Sequence, residues 1–487
     1  ENLSQNNRDS IERDFNRFVS GECLSLGRSN SDLRLHLSKR FMCFKIYCFL
    51  RRNLITLFIF FVLMAYTRDT SAQANLSPAE QQLVASVESK VEDAISFLER
   101  IVNINSGSMN FPGVRAVGAA FAEELEPLGF KTWWVDGEAF GRAGHLFASR
   151  GNSGPHFLLI GHLDTVFELD SSFQKFTRLS EFRAEGPGVI DMKGGDVVML
   201  EVVRALHSIG ALDHMTVTIA LIGDEESSGD PLEVGRASLV EAADNADIAL
   251  AFEPGDGDPQ TAVLARRGFT GWEVHASGVR GHSSAVFSKE MGYGSIYEAA
   301  RILTGFQEKL VGQDLLTFNP GLILGGTTVE FDEENDRGSA VGKTNVISEK
   351  TIVTGDLRTI SPEIREQVKT KMRAIVADHL PGTGAEIIFR DSYPPMGMTE
   401  GNEQLLDMLS QASTDAGYQP VRAGDPADAG AADISFAAGR VTMALDGLGM
   451  TGDGTHTTTE WADLKTLPMQ TIRTALLMHR IAATWVK

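Results

Sequence analysis

The chain has 487 residues, 43% of them hydrophobic and 22% charged, which is enough to bury a large core and predicts more than one domain. With 65 acidic against 44 basic side chains its formal charge is −21, which argues against nucleic acid as a partner. All three cysteines, Cys23, Cys43 and Cys48, fall before residue 74, so the remainder offers no disulfide, no thiolate ligand and no cysteine nucleophile.

Arg51-Arg52 precede an apolar run from Leu54 to Tyr66, and Ala72-Gln73-Ala74 follows with small residues at a cleavage point. That order predicts a secretory signal cut after Ala74, and a periplasmic or secreted protein with no stable membrane association. The alternative is a membrane anchor, but the run has 13 residues against the roughly 20 needed to cross a bilayer. No cysteine follows Ala74 to take a lipid. Met42 lies just ahead of the basic pair, which opens the reading of residues 1–41 as translated upstream sequence. Residues 1–74 hold 11 basic and 7 acidic side chains, leaving 33 against 58 and a net charge of −25 for the rest.

Beyond Ala74, apolar residues at helical spacing from Ser77 to Asn105 predict an opening amphipathic helix, with Ser77-Pro78 at its N-terminus. Short apolar runs at 156–161, 215–223 and 247–252 end in polar residues and alternate with helical stretches such as 192–211. This order predicts an α/β fold with a mostly parallel sheet and flanking helices, whose ligands collect beyond the carboxyl ends of the strands. From 269 to 391 the pattern becomes strand (270–276), helix (295–310), two strands (327–331 and 350–357), helix (363–380) and strand (385–390). That is the order of a ferredoxin-like α+β unit. A helix at 402–417, an Ala/Gly/Asp-rich stretch at 423–433 and a last helix at 464–483 read as a return to the first unit. The expected organisation is therefore a catalytic domain, 75–268 and 392–487, interrupted by an inserted lid, 269–391.

The polar residues at the strand ends carry the chemistry. His162 and Asp164 flank Leu163, so alternation puts both on one side, where a carboxylate can orient a metal-binding imidazole. A hydrogen-bonded loop pair is the other reading. Asp191, set among glycines at a loop-to-helix junction, fits either a helix N-cap or a carboxylate bridging two cations. In Asp224-Glu225-Glu226 adjacent side chains point opposite ways, so one can ligate metal while its neighbour handles a proton; a solvated acidic turn is the alternative. Glu253 ends the next strand, and His456 lies in a loop near the C-terminus. Together, His162, Asp191, Glu226, Glu253 and His456 supply nitrogen and oxygen ligands with no sulfur, which suits two Zn2+ or similar divalent ions.

As an ordered set, Gly161-His162-Leu163-Asp164-Thr165-Val166-Phe167, Gly186–Gly195, Asp224-Glu225-Glu226, Phe252-Glu253-Pro254, Gly281-His282-Ser283 and Gly454-Thr455-His456 resemble the zinc aminoacylase/carboxypeptidase G family from about Leu83 to Ala483. The resemblance implies that His162 and Glu253 bind one zinc, Glu226 and His456 the other, and that Asp191 bridges them. It also implies Glu225 as general base, Asp164 as support for His162, and a homodimer formed through the lid, in which His282 reaches the partner's site and steadies the oxyanion. Asp356-Leu357-Arg358 resembles the family's carboxylate-binding segment, and Asn345 a nearby substrate contact. A guanidinium suits bidentate carboxylate recognition, and the other reading of Arg358 is a surface ion pair with Asp356 or Glu363. Glutamate at 253 resembles the carboxypeptidase G and deacylase branches; the dipeptidase branches usually have aspartate.

Three departures from carboxypeptidase G bear on substrate: Met192 replaces a second acid, Arg266-Arg267 replace smaller residues, and 425–433 differs from its glycine-rich loop. The expected reaction is hydrolysis of an amide beside a free carboxylate, in a small peptide or an N-acyl amino acid. A glutamate-releasing carboxypeptidase is the first reading and an N-acyl-amino-acid deacylase the second. A non-catalytic binding module on the same fold predicts missing ligands or a missing base, and all are present here.

Overall fold

The computed structural model describes residues 75–332 and 337–485. The expected secretory signal and the cysteines lie outside the described residues. Among the described residues no helix is long and apolar enough to cross a membrane.

The opening amphipathic segment is two helices, Pro78–Glu88 and Val91–Val102, rather than one. A capping box built by Ser77 and Glu80 starts the first, and Ser89-Lys90 separate the two. The break redirects the chain so that Leu83, Val84 and Val87, then Leu98, Ile101 and Val102, all enter one core.

A six-stranded sheet forms the centre, in the order 131–136, 144–150, 216–222, 156–162, 248–251 and 443–445. Gly144–Arg150 pairs antiparallel with both of its neighbours, while the last four strands are mutually parallel. The apolar strands are buried on both faces, as parallel strands between helical layers must be. Phe157 and Leu159 join the core beneath the opening helices, Lys193–Ser208 and Thr466–Thr484. Leu158 and Ile160 point the other way, against Leu239, Ala243, Ile434 and Ala437. Lys193–Ser208 is buried almost all round. Its Gly195 lies so close to the carboxyl end of Ile248–Ala251 that a Cβ would overlap the carbonyl oxygen of Phe252. Among the glycines near Asp191, Gly195 thus serves helix-to-strand packing.

The lid is a four-stranded antiparallel sheet with Ser295–Leu310 and Pro362–Ala377 packed on one face around Trp272, Val274, Phe306, Val353 and Met372. Its sequential strands Gly268–Gly278, Thr317–Gly326, Lys350–Thr359 and Thr383–Asp391 stand in the spatial order 2-3-1-4, as a ferredoxin-like unit requires. The expected strand at 327–331 is displaced from this sheet. Thr328–Asp332 pairs instead with Arg337–Val341 in a separate hairpin, and Thr317–Gly326 takes the edge position. That edge strand escapes a periodicity reading because Asn319-Pro320-Gly321 interrupts its apolar residues.

Candidate metal centre and catalytic site

Three neighbouring parallel strands end at one place. His162 is the last residue of His156–His162, Glu225 and Glu226 follow Thr216–Ile222, and Glu253 follows Ile248–Ala251. Asp191 arrives from the loop before the buried helix. His456 arrives from the tip of a hairpin whose arms are Gly452–Asp453 and Trp461–Asp463. This is the carboxyl-end crevice anticipated from the strand pattern.

The five expected ligands form two groups that share Asp191. In one, His162 Nε2 lies 3.2 Å from Asp191 Oδ1 and 3.8 Å from Glu253 Oε1. In the other, His456 Nε2 lies 3.1 Å from both Asp191 Oδ2 and Glu226 Oε2. Each group could hold one metal ion, and the two Asp191 oxygens face different groups. Asp191 is not a helix N-cap: that position belongs to Met192, whose side chain makes no capping bond.

The donor chemistry fits a pair of divalent cations. All five groups are imidazole nitrogens or carboxylate oxygens, and Glu226 Oε1 is buried with no hydrogen-bond partner among the described residues. Electrostatics point the same way. Burial opposes a charged His162, yet its contacts with Asp164, Asp191 and Glu253 outweigh burial and raise its pKa well above the usual imidazole value. Hydrogen bonds to Asp191 and Glu226 push His456 up to about 10. Protons on these rings thus neutralise the acids, and a divalent cation would compete for the same place. His456 also adopts a left-handed backbone, φ 61°, at a cost of about 1 kcal/mol for a non-glycine residue. Such conformations concentrate at functional positions.

Asp164 is fully buried. Its carboxylate lies 3.5 Å from His162 Nδ1, and its own carbonyl oxygen is nearer at 3.1 Å. The same carboxylate accepts from Ser108 Oγ at 2.6 Å and from the backbone N–H groups of Glu225 and Glu226 at 3.0 and 3.1 Å. It therefore orients a ring on one strand end and the acidic turn on the next. Burial raises the Glu225 carboxyl well above its ordinary range, with further push from Glu253, Asp433 and Glu226. A carboxylate of raised basicity is suited to taking a proton.

The lid residues fall in two places. His282 and Asn345 come together, since Ser283 N–H donates to the Asn345 carbonyl at 2.9 Å and His282 bridges Val346. Arg358 lies at the opposite end of the lid sheet, in register with Phe269. There its Nε donates to Asp356 at 3.0 Å and its guanidinium stacks 4.7 Å from the Phe269 ring. The ion pair with Asp356, one of the two readings open from sequence, is formed.

Several residues of the site carry no sequence signal strong enough to single them out. Glu460 is wholly buried and accepts the backbone N–H groups of Gly188, Ile190 and Asp191 at 3.1, 2.8 and 3.2 Å. It ties the hairpin carrying His456 to the loop carrying Asp191, and its position four residues after His456 is the one available clue. Arg266, noted above only as a departure, is buried against Asp446 at 2.8 Å. Asp446 in turn accepts from Glu253 N–H at 3.3 Å. Below the acidic turn, Arg236 bonds Asp224 at 2.6 Å and Asp433 at 2.7 Å, all three buried.

The sequence profile of Peptidase family M20/M25/M40 matches residues 158–479. The chain belongs to that family. Carboxypeptidase G2 of Pseudomonas sp. (strain RS-16) is 25% identical over 393 residues, covering 80% of this chain and 89% of the relative. The succinyl-diaminopimelate desuccinylase of Gluconacetobacter diazotrophicus is 27% identical over 305 residues, covering 61% of this chain and 74% of the relative. The crystal structure of aminopeptidase PepT from Bacillus cereus superposes with a TM-score of 0.64 at 18% identity, covering 80% of this chain and 99% of that one. Membership of the M20/M25/M40 family makes the protein a metal-dependent hydrolase of the peptidase and amidohydrolase type, on the two-part fold described above. The matched span contains both carboxylate–imidazole groups and the acidic turn between them.

Proposed function

We propose that the protein is an exported di-zinc carboxypeptidase that hydrolyses an amide bond and releases a C-terminal amino acid, glutamate first among candidates. The observation that carries this reading is the pair of three-residue groups joined by Asp191, with Glu225 beside them and held by the same Asp164 that orients His162. Likeness to carboxypeptidase G2 over most of both chains supports the choice of leaving group. Export rests on the Arg51–Ala74 pattern.

In this reading His162, Asp191 and Glu253 hold one Zn2+, and Asp191, Glu226 and His456 the other. When bound, the two ions supply Lewis acidity, making water more acidic and polarising the scissile carbonyl. Glu225 accepts a proton from the attacking water and returns it to the departing amine. His282 donates to the oxyanion that develops on the former carbonyl oxygen. Arg358, turned from Asp356, binds the substrate carboxylate, while Asn345, which sits with His282 at the far end of the lid sheet, contacts the substrate of the partner subunit's site.

The desuccinylase relative supports a second reading, an N-acyl-amino-acid deacylase on the same machinery. A substrate panel separates them. Mature protein loaded with zinc is expected to release glutamate from p-aminobenzoyl-glutamate and from dipeptides ending in glutamate at least tenfold faster than it hydrolyses acetyl- or succinyl-amino acids. The opposite ranking assigns the deacylase.

The proposal includes a homodimer paired through the lid. The lid strand Gly268–Gly278 has 11 residues and spans roughly 35 Å, and His282 lies beyond the end remote from its own metal ligands. Exposed Phe287 and Tyr297, packed with half-buried Tyr293 at ring-centroid distances from Phe287 of 5.5 and 5.0 Å, and exposed Ile323 on the edge strand offer apolar surface for a second copy. Mixing Glu225→Gln chains with His282→Ala chains, each nearly inactive alone, is expected to restore about a quarter of wild-type activity after statistical exchange. Subunit exchange without recovery places His282 outside the partner's site.

A further inference from the structure

The hinge between lid and catalytic sheet is a ribbon of two strands. Arg266 and Met396 exchange backbone hydrogen bonds of 2.9 and 3.0 Å, and Phe269 bonds Tyr393 and Ser392 at 2.9 and 3.1 Å. Tyr393 lies two residues past the last lid strand and is buried, its ring 5.1 Å from that of Phe436. Its hydroxyl accepts from Arg236 Nη2 at 2.8 Å, shares a bond with Ser228 Oγ at 3.2 Å and donates to the carbonyl oxygen of Glu225 at 3.3 Å. Arg236 is itself fixed by two buried carboxylates, Asp224 and Asp433. The Glu225 backbone is therefore held on both sides, by Asp164 accepting from its N–H and by the hinge tyrosine donating to its C=O.

We infer that Tyr393 is a positioning residue that couples the hinge of the lid to the catalytic base, setting where the Glu225 carboxylate stands as the lid moves. This rests on the assignment of Glu225 as base. The proton remains on the phenol for this role: burial, with the nearby Asp433 and Glu225 charges, holds its pKa well above the ordinary tyrosine value. Any rotation of the ribbon moves the phenol, because Tyr393 shares its backbone bond with Phe269 on the opposite hinge strand. Arg236 cannot follow, being locked beneath the acidic turn, so the strand of bonds from Asp433 through Arg236 and Tyr393 to Glu225 is complete only over a narrow range of lid positions.

Tyr393→Phe keeps the ring packing and removes the hydroxyl. In the full-length mature enzyme, with p-aminobenzoyl-glutamate as probe, kcat is expected to fall about tenfold while KM stays within twofold and metal content and Tm are unchanged. On a Glu225→Gln background the same substitution is expected to cause no further loss, since it acts through that side chain. A kcat within twofold of wild type overturns the inference, as does a fall that tracks lost metal or lowered Tm, or a full additional tenfold loss in the double variant. If Glu225→Gln alone keeps wild-type turnover, the base assignment falls and takes this inference with it. If Glu225→Gln is inactive and Tyr393→Phe is normal, the tyrosine inference alone is wrong.

Discussion

Glu225→Gln is expected to retain its full complement of metal and to lose turnover by about a thousandfold or more, within the range that general acid–base groups contribute, with binding little changed. The amide keeps the length and shape of the side chain and leaves the Glu225 backbone bonds to Asp164 and Tyr393 in place. It cannot accept a proton. Glu226→Gln, one residue on, is expected to do the reverse of this in its primary effect. Glu226 Oε2 faces His456 and its Oε1 is a buried oxygen without a partner among the described residues, so the loss falls on the second metal. Outer partners of metal ligands already cost about 10–100-fold in affinity when removed, and a ligand costs more. Side-by-side metal analysis and kinetics of the two variants check this division. Equal metal loss in both, or full metal retention in both, contradicts it.

The contrast between these neighbours also shows why much of the site was legible in the sequence. Strand alternation assigns successive side chains to opposite sides, and the apolar runs place His162, the acidic turn and Glu253 at one edge of a parallel sheet. The ferredoxin-like lid was legible for the same reason, except where Asn319-Pro320-Gly321 broke the pattern of an edge strand. Long-range polar partners were not. Glu460 reads as one more acid on an acidic chain until the hairpin folds it against the Gly188–Asp191 amides. Arg236 and Tyr393 are 157 residues apart, and neither sits in a motif. Arg266 reads as a change of substrate contact, and in the fold it braces Glu253 through Asp446 instead. Periodicity reports which face a residue occupies, and not which distant residue meets it there.

Removing metal is expected to have the other largest effect, because every step assigned to Glu225 depends on a water made acidic by two cations. Asp191 offers one oxygen to each group, so Asp191→Asn is expected to weaken both sites, whereas His456→Ala is expected to weaken one and spare that of His162 and Glu253. The sites also compete with protons on His162 and His456, so metal retention is expected to fall as pH is lowered. The most direct test is the metal content of the purified mature protein, measured together with hydrolysis before and after dialysis against a chelator. The account predicts close to two divalent ions per chain, loss of both ions and of hydrolysis on chelation, and recovery of both with Zn2+. A protein that carries no metal, or one that hydrolyses its substrate at an undiminished rate after chelation, contradicts it.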